Sequence, residues 1–83
     1  MAQSITKYVG FIELPGGVEI GPVRIGLKSK IQAGKTAKAR GWNPERDMTL
    51  INAFMAWHAA KQAGATDLSW EEFEDQAIDA DVQ

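Results

Sequence analysis

The chain has 83 residues, which is enough for one small domain. Its 45% hydrophobic and 24% charged residues are typical of a globular protein and exclude a disordered or collagen-like chain. The net charge of −2 hides an asymmetry: residues 1–40 carry seven basic and two acidic residues, whereas residues 41–83 carry two basic and nine acidic ones. Such halves can attract each other, within one molecule or between copies, or attract separate partners, so charge alone does not identify a partner.

The residue types that are missing narrow the function further. Without cysteine there is no disulfide, thiolate metal ligand or thiol nucleophile, and we expect a reducing, intracellular setting. The apolar runs are too short to span a bilayer, so no membrane partner is expected. The first residues also lack the long apolar stretch of a secretory signal.

The N-terminal region, residues 5–25, has the pattern of a β-hairpin. Residues 5–14 are rich in β-branched and aromatic types and have apolar side chains on both faces, which indicates cover on both sides or an oligomer. A Pro-Gly-Gly segment then suits a tight turn. Pro22 cannot donate a ladder hydrogen bond, so the returning strand is interrupted there or lies at an edge, and residues 23–25 resume it.

Two helices are predicted next. Residues 27–41 form a basic helix with a thin apolar stripe, and Gly34 weakens it by about 1 kcal/mol, so packing or a partner must hold it. Residues 44–63 form the most strongly patterned helix, with Asn43 as N-cap and Asp47 as an alternative cap one turn later. Its apolar face is broader than a coiled-coil seam needs.

A last helix is predicted over residues 69–79. Ser69 and Glu72 match a capping box, and Leu68 and Phe73 are placed for a hydrophobic staple. The residues beyond have little to bury, so we expect them to fray. The predicted fold is α+β, one domain over residues 1–83: a β-hairpin, a basic helix and an antiparallel pair of C-terminal helices.

Catalytic chemistry finds little support. His58 is the only histidine and has no orienting partner at helical spacing, so a structural role is favoured. The acidic residues after position 66 match neither a calcium loop nor a two-carboxylate cleft, and the glycines do not form a phosphate-binding loop. We expect no enzyme activity, no cofactor and no metal.

Binding surfaces are the better prospect. The aromatic residues of the two C-terminal helices are expected to be mostly core, but so small a chain cannot bury three tryptophans deeply. Some of that surface is therefore a candidate partner groove. The basic segment 24–42 is an alternative, since a basic helix followed by Trp42 suits a nucleic-acid-binding regulator. The acidic second half argues against nucleic acid as the partner.

Several segments resemble one protein family. Residues 56–61 (Ala-Trp-His-Ala-Ala-Lys) are followed by Gly64 and then by residues 69–73 (Ser-Trp-Glu-Glu-Phe). This order resembles the C-terminal helix pair of the tail assembly chaperones of long-tailed bacteriophages, and the basic helix ending in residues 40–42 (Arg-Gly-Trp) also fits. The resemblance covers about residues 27–75, and the apolar first strand departs from the family pattern.

The resemblance implies a non-enzymatic chaperone, commonly encoded with a frameshifted longer form. It would coat the hydrophobic, helical tape measure protein in the cytoplasm of the infected host and be absent from the finished virion. Copies would self-associate head to tail through opposite charges. A structural subunit of the phage tail or head is a further alternative. The residues expected to form or support the client surface are Phe54, Met55, Trp57, Trp70 and Phe73, and those expected to meet acidic residues of a neighbour are Lys28, Lys30, Lys35 and Lys38.

Overall fold

A computed structural model describes residues 8–83 and shows an α+β fold with a three-stranded antiparallel sheet and three helices, which confirms the predicted class. Residues 5–7 of the predicted hairpin lie outside the described residues. The elements in chain order are β1 (Tyr8–Leu14), β2 (Val18–Ile25), α1 (Leu27–Arg40), α2 (Met48–Gln62), α3 (Trp70–Gln76) and β3 (Asp79–Val82). The strand order in the sheet is β2-β1-β3.

The predicted hairpin is present, with β2 at one edge of the sheet. As the position of Pro22 suggested, the pairing is irregular near it: the register shifts between Gly10 and Ile12. Gly21 has a φ of +132°, and a Cβ there would lie 2.7 Å from the Gly10 carbonyl oxygen. Only glycine fits this irregularity, which lets β2 pass Pro22 and resume pairing through Val23.

The end of the chain differs from the prediction. The expected helix over residues 69–79 ends at Gln76, and the residues expected to fray form strand β3 on the free side of β1. Backbone groups explain the difference: the Val9 and Gln83 amides each donate to the other's carbonyl, at 2.8 and 2.9 Å. Ala80 and Val82 are also half-buried against the core, so side-chain packing and the unpaired edge of β1 together hold the strand.

The start of the second helix also differs. Residues 44–47 precede α2, which begins at Met48 with Asp47 at the N-cap position. Asn43 instead stabilises a turn. Its side-chain oxygen accepts a hydrogen bond from the Glu45 backbone N–H at 2.8 Å, and its backbone N–H donates to the Asp47 carboxylate at 2.9 Å. Because the two side chains satisfy backbone groups within this turn, Pro44 stays outside the helix.

Helix α2 lies at the centre of the packing and contacts all three strands and both other helices. Ala56 has no exposed surface, and a Cβ at Gly10 would lie 3.0 Å from the Ala56 Cβ, so strand and helix approach closely. Helix α1 buries one narrow stripe, Ser29, Ala33 and Ala37, and presents the rest to solvent. The antiparallel arrangement of α2 and α3 stays a prediction. No helix among the described residues is long and apolar enough to cross a membrane.

Candidate functional site

Three of the five residues expected at a client surface lie in the core. Phe54, Trp70 and Phe73 are 4%, 4% and 2% exposed. The Trp70 ring centroid lies 5.2 Å from that of Phe54 and 5.7 Å from that of Phe73, so the rings pack on one another. These side chains therefore have almost no surface for a partner to contact, and they can only support a binding surface formed by other residues.

The other two tryptophans border the same cluster and are half-buried. Trp42, in the turn before α2, lies 5.9 Å from both Phe54 and Trp70, measured between ring centroids. Trp57 donates its indole N–H to the Leu68 carbonyl at 2.9 Å. This hydrogen bond holds the loop between α2 and α3 against α2, so the Trp57 side chain stabilises the fold.

An open apolar surface lies elsewhere, in a groove between α1 and α2 that we call the methionine groove. It encloses about 360 Å³. Its walls and floor are formed by Ala33, Gly34, Ala37, Trp42, Pro44, Met48, Ile51 and Met55, with Lys30 and Lys38 at the rim. Met55 is thus the predicted client residue that the structure places on an open apolar surface.

The methionine groove continues toward the sheet. A second hollow of about 360 Å³ shares Lys30, Met48 and Met55 with it and extends it to Tyr8 and Val82. Met48 and Met55 are seven residues apart, about two helical turns, so they form one row along α2. The two hollows together make an elongated surface rather than a closed pocket.

The outer edge of α1 adds exposed apolar side chains beside the groove. Leu27 and Ile31 are 71% and 49% exposed. With Gly34 and Lys38 they follow an i, i+4, i+7, i+11 spacing, the seam of a helix that packs against another helix. The exposure of Leu27 and Ile31 leaves this part of the seam open to solvent within residues 8–83.

The predicted basic residues of α1 divide between its two flanks. Lys30 and Lys38 line the methionine groove, and Lys30 Nζ lies 4.7 Å from the Tyr8 ring centroid. Lys35 lies on the other flank, in a hollow that also includes Trp57. Lys28 is also exposed. The ion pairs found within residues 8–83 are Arg40–Glu71 at 3.4 Å and Arg46–Asp47 at 3.8 Å, so none involves these four lysines.

Acidic residues collect on the face of the sheet away from α2. Glu13 pairs with Glu19 on one side and with Asp79 on the other, which puts three carboxylates in one row across the strands. Asp81 lies opposite the exposed Phe11 on the same face. Like charges in direct cross-strand pairs are unfavourable. The sheet and α1 therefore carry opposite charge.

His58 links two helices. Its Nδ1 lies 2.8 Å from the hydroxyl oxygen of the buried Ser29, a hydrogen bond that joins α2 to α1. Partial burial, and secondly the positive charge of Lys28, hold the pKa of the His58 imidazole below its ordinary value. Among the described residues, no group of three His, Cys, Asp or Glu side chains is placed to hold a metal ion.

Comparisons with protein-family models, with curated proteins and with solved structures found no match to this chain. A functional assignment therefore has to come from the residues and their geometry. Sequence reasoning placed the open surface among the aromatic residues and missed the groove, although Met48, Ile51 and Met55 share one helical stripe and α1 carries the seam that starts at Leu27.

The depressed pKa of His58 predicts a pH dependence of stability. Because the unfolded chain binds the imidazole proton more readily, the free energy of unfolding should fall as the pH drops below the ordinary value of 6.5. In His58→Gln, which keeps a hydrogen-bonding group near Ser29, this decrease should be absent between pH 7 and about 5. Urea unfolding at several pH values measures it.

Glu72 provides the control for that experiment. Its pKa is lowered, first by the hydrogen bond from the Ser69 backbone amide and then by the one from the Ser69 hydroxyl, so its contribution is lost only at pH values below its ordinary 4.5. Glu72→Gln should leave the dependence between pH 7 and about 5 intact. An unchanged slope in the His58 variant would contradict the assignment.

Proposed function

We propose that this chain is a non-enzymatic tail assembly chaperone of a long-tailed bacteriophage, which binds the tape measure protein and keeps it soluble during tail assembly. The observation that carries the proposal is the methionine groove. It is an elongated apolar surface that stays open after the aromatic residues are buried. The exposed side chains of Leu27, Ile31 and Met48 add to this apolar surface, and contiguous exposed apolar surface marks sites where partners bind.

The chemistry of the groove suits an apolar helical client. Methionine side chains are flexible and polarizable, so Met48 and Met55 can adapt to different apolar side chains. Ala33, Gly34 and Ala37 are small, so an incoming helix can approach α1 closely. An amphipathic helix lying in an apolar groove is a common mode of peptide recognition.

The family resemblance supplies the identity of the client. The segments that resemble tail assembly chaperones lie on α2 and α3, where residues 56–61 and 69–73 build the aromatic cluster. In this proposal the two helices keep the antiparallel arrangement expected for the family. The protein acts in the cytoplasm of the infected host and is absent from the mature virion.

Gly34 allows a direct test of client binding. A Cβ at this position would meet no atom within 4 Å, so a larger side chain extends into the open groove. Gly34→Leu should preserve the fold, since leucine favours helix over glycine by roughly 0.8 kcal/mol. Co-expressed with the tape measure protein, the unchanged chain should raise the soluble fraction of that client severalfold, and Gly34→Leu should abolish most of the increase.

Gln32→Leu is the matched control, because Gln32 lies on the opposite flank of α1, outside the methionine groove. It should keep the solubilising effect. No increase in client solubility with the unchanged chain would contradict the proposal. Tight DNA or RNA binding at moderate salt would favour the regulator instead, and presence in purified virions would favour a structural subunit.

Self-association is the second part of the proposal. The basic flank of α1, with Lys28 and Lys35, and the acidic sheet face, with Glu13 and Asp81, are opposite in charge and have no ion-pair partners within residues 8–83. Contact between unlike surfaces of successive copies is heterologous and forms chains rather than closed dimers. Such chains would follow an extended client.

Two charge reversals test this contact. Lys28→Glu/Lys35→Glu makes both surfaces acidic, and Glu13→Lys/Asp81→Lys makes both basic, so neither variant should associate alone. Their equimolar mixture should associate like the unchanged chain, because each surface then meets its opposite. Sedimentation velocity at low salt measures the mass. Association of either variant alone, or a mixture that stays monomeric, would refute the contact.

A further inference from the structure

Two lysines stand at the rim of the methionine groove with a defined separation. Lys30 and Lys38 both line it and are eight residues apart on α1. At 1.5 Å per residue, their positions on the helix are about 12 Å apart along its axis. Both are charged groups beside an otherwise apolar surface, so they affect which helical segments bind in the groove.

The two ammonium groups have no acidic partner within the described part of the chain. The Lys30 ammonium is held over the Tyr8 ring, 4.7 Å from its centroid, in a cation–π contact. This contact restricts the side chain without neutralising it, which lowers the entropy lost when it binds an anion. The groove thus offers a cation whose position is set before a partner arrives.

The seam of α1 beside the groove favours a helical occupant of matching period. Leu27, Ile31, Gly34 and Lys38 are spaced by four, three and four residues, the alternation with which helices pack side by side at a shallow angle. Because Gly34 has no side chain and open space in front of it, a second helix can lie close to α1 there. A helix packed this way runs nearly parallel to the line joining the two lysines.

We infer that the methionine groove selects, among apolar helical segments, those that carry two acidic residues seven or eight residues apart beside the apolar stripe. The inference rests on the proposed function, in which the groove is the client site. On a helix, seven or eight residues span about 11–12 Å, which matches the separation of Lys30 and Lys38. A pair four residues apart spans about 6 Å and reaches only one of them.

Synthetic helical peptides test the inference directly. A peptide of about 18 residues with leucines at heptad spacing carries two glutamates seven residues apart beside the leucine stripe. Three companions keep the leucines: one has the glutamates four residues apart, one has glutamines, and one has lysines. Fluorescence anisotropy at low salt should show that the seven-residue pair binds about three- to tenfold more tightly than the glutamine peptide, with the four-residue pair between them and the lysine peptide weakest.

Paired protein variants locate the effect. Lys30→Gln/Lys38→Gln should bind the seven-residue glutamate peptide and the glutamine peptide equally, whereas Lys28→Gln/Lys35→Gln, with the same change in charge on the other flank, should keep the preference. Equal binding of the glutamate and glutamine peptides by the unchanged chain would overturn the inference and leave the proposed function standing. Failure of all four peptides to bind would overturn both.

Discussion

The Trp70 ring is the point at which the turn before α2, helix α2 and helix α3 meet. Its centroid lies within 6 Å of those of Trp42, Phe54, Trp57 and Phe73, which come from the turn before α2, from α2 and from α3. Each such ring pair contributes about 0.5–1.5 kcal/mol beyond the area that it buries. Helix α3 has only seven residues and could not persist alone, so its position depends on this cluster and on the capping box that begins it.

Burial of the aromatic cluster decides which surfaces remain open. The large rings pack on one side of α2 and against α3, which leaves α1 covered along only one narrow stripe. The smaller and more flexible side chains, Met48 and Met55 with the alanines of α1, then border an open groove. Lysines line its rim, while the acidic residues lie on the far face of the sheet. In the proposed function, the groove receives an apolar helix, and the basic flank of α1 and the acidic sheet face meet on neighbouring copies.

The sequence predicted the local elements well where side-chain chemistry controls them. The Ser69–Glu72 capping box is present, with hydrogen bonds of 3.0 and 3.1 Å. Gly41 and Gly64, which follow α1 and α2, have the positive φ that glycine adopts readily at helix ends. Strand β3 was not predicted, although residues 79–82 alternate polar and apolar types, because four residues at the end of the chain form a strand only through their pairing with β1 and their packing on the core. The groove was not predicted for a related reason. It depends on the distance between α1 and α2, and the periodicity within each helix gives no information about that distance.

The central claim is that a client helix contacts the methionine groove and leaves the aromatic cluster closed. Methyl NMR during titration with a heptad peptide tests it most directly. The account predicts that the ε-methyl resonances of Met48 and Met55 shift while the indole N–H resonance of Trp70 stays in place. Large shifts of Trp70 and of the Phe73 ring, with unmoved methionine methyls, would show that the client opens the core and would contradict the account.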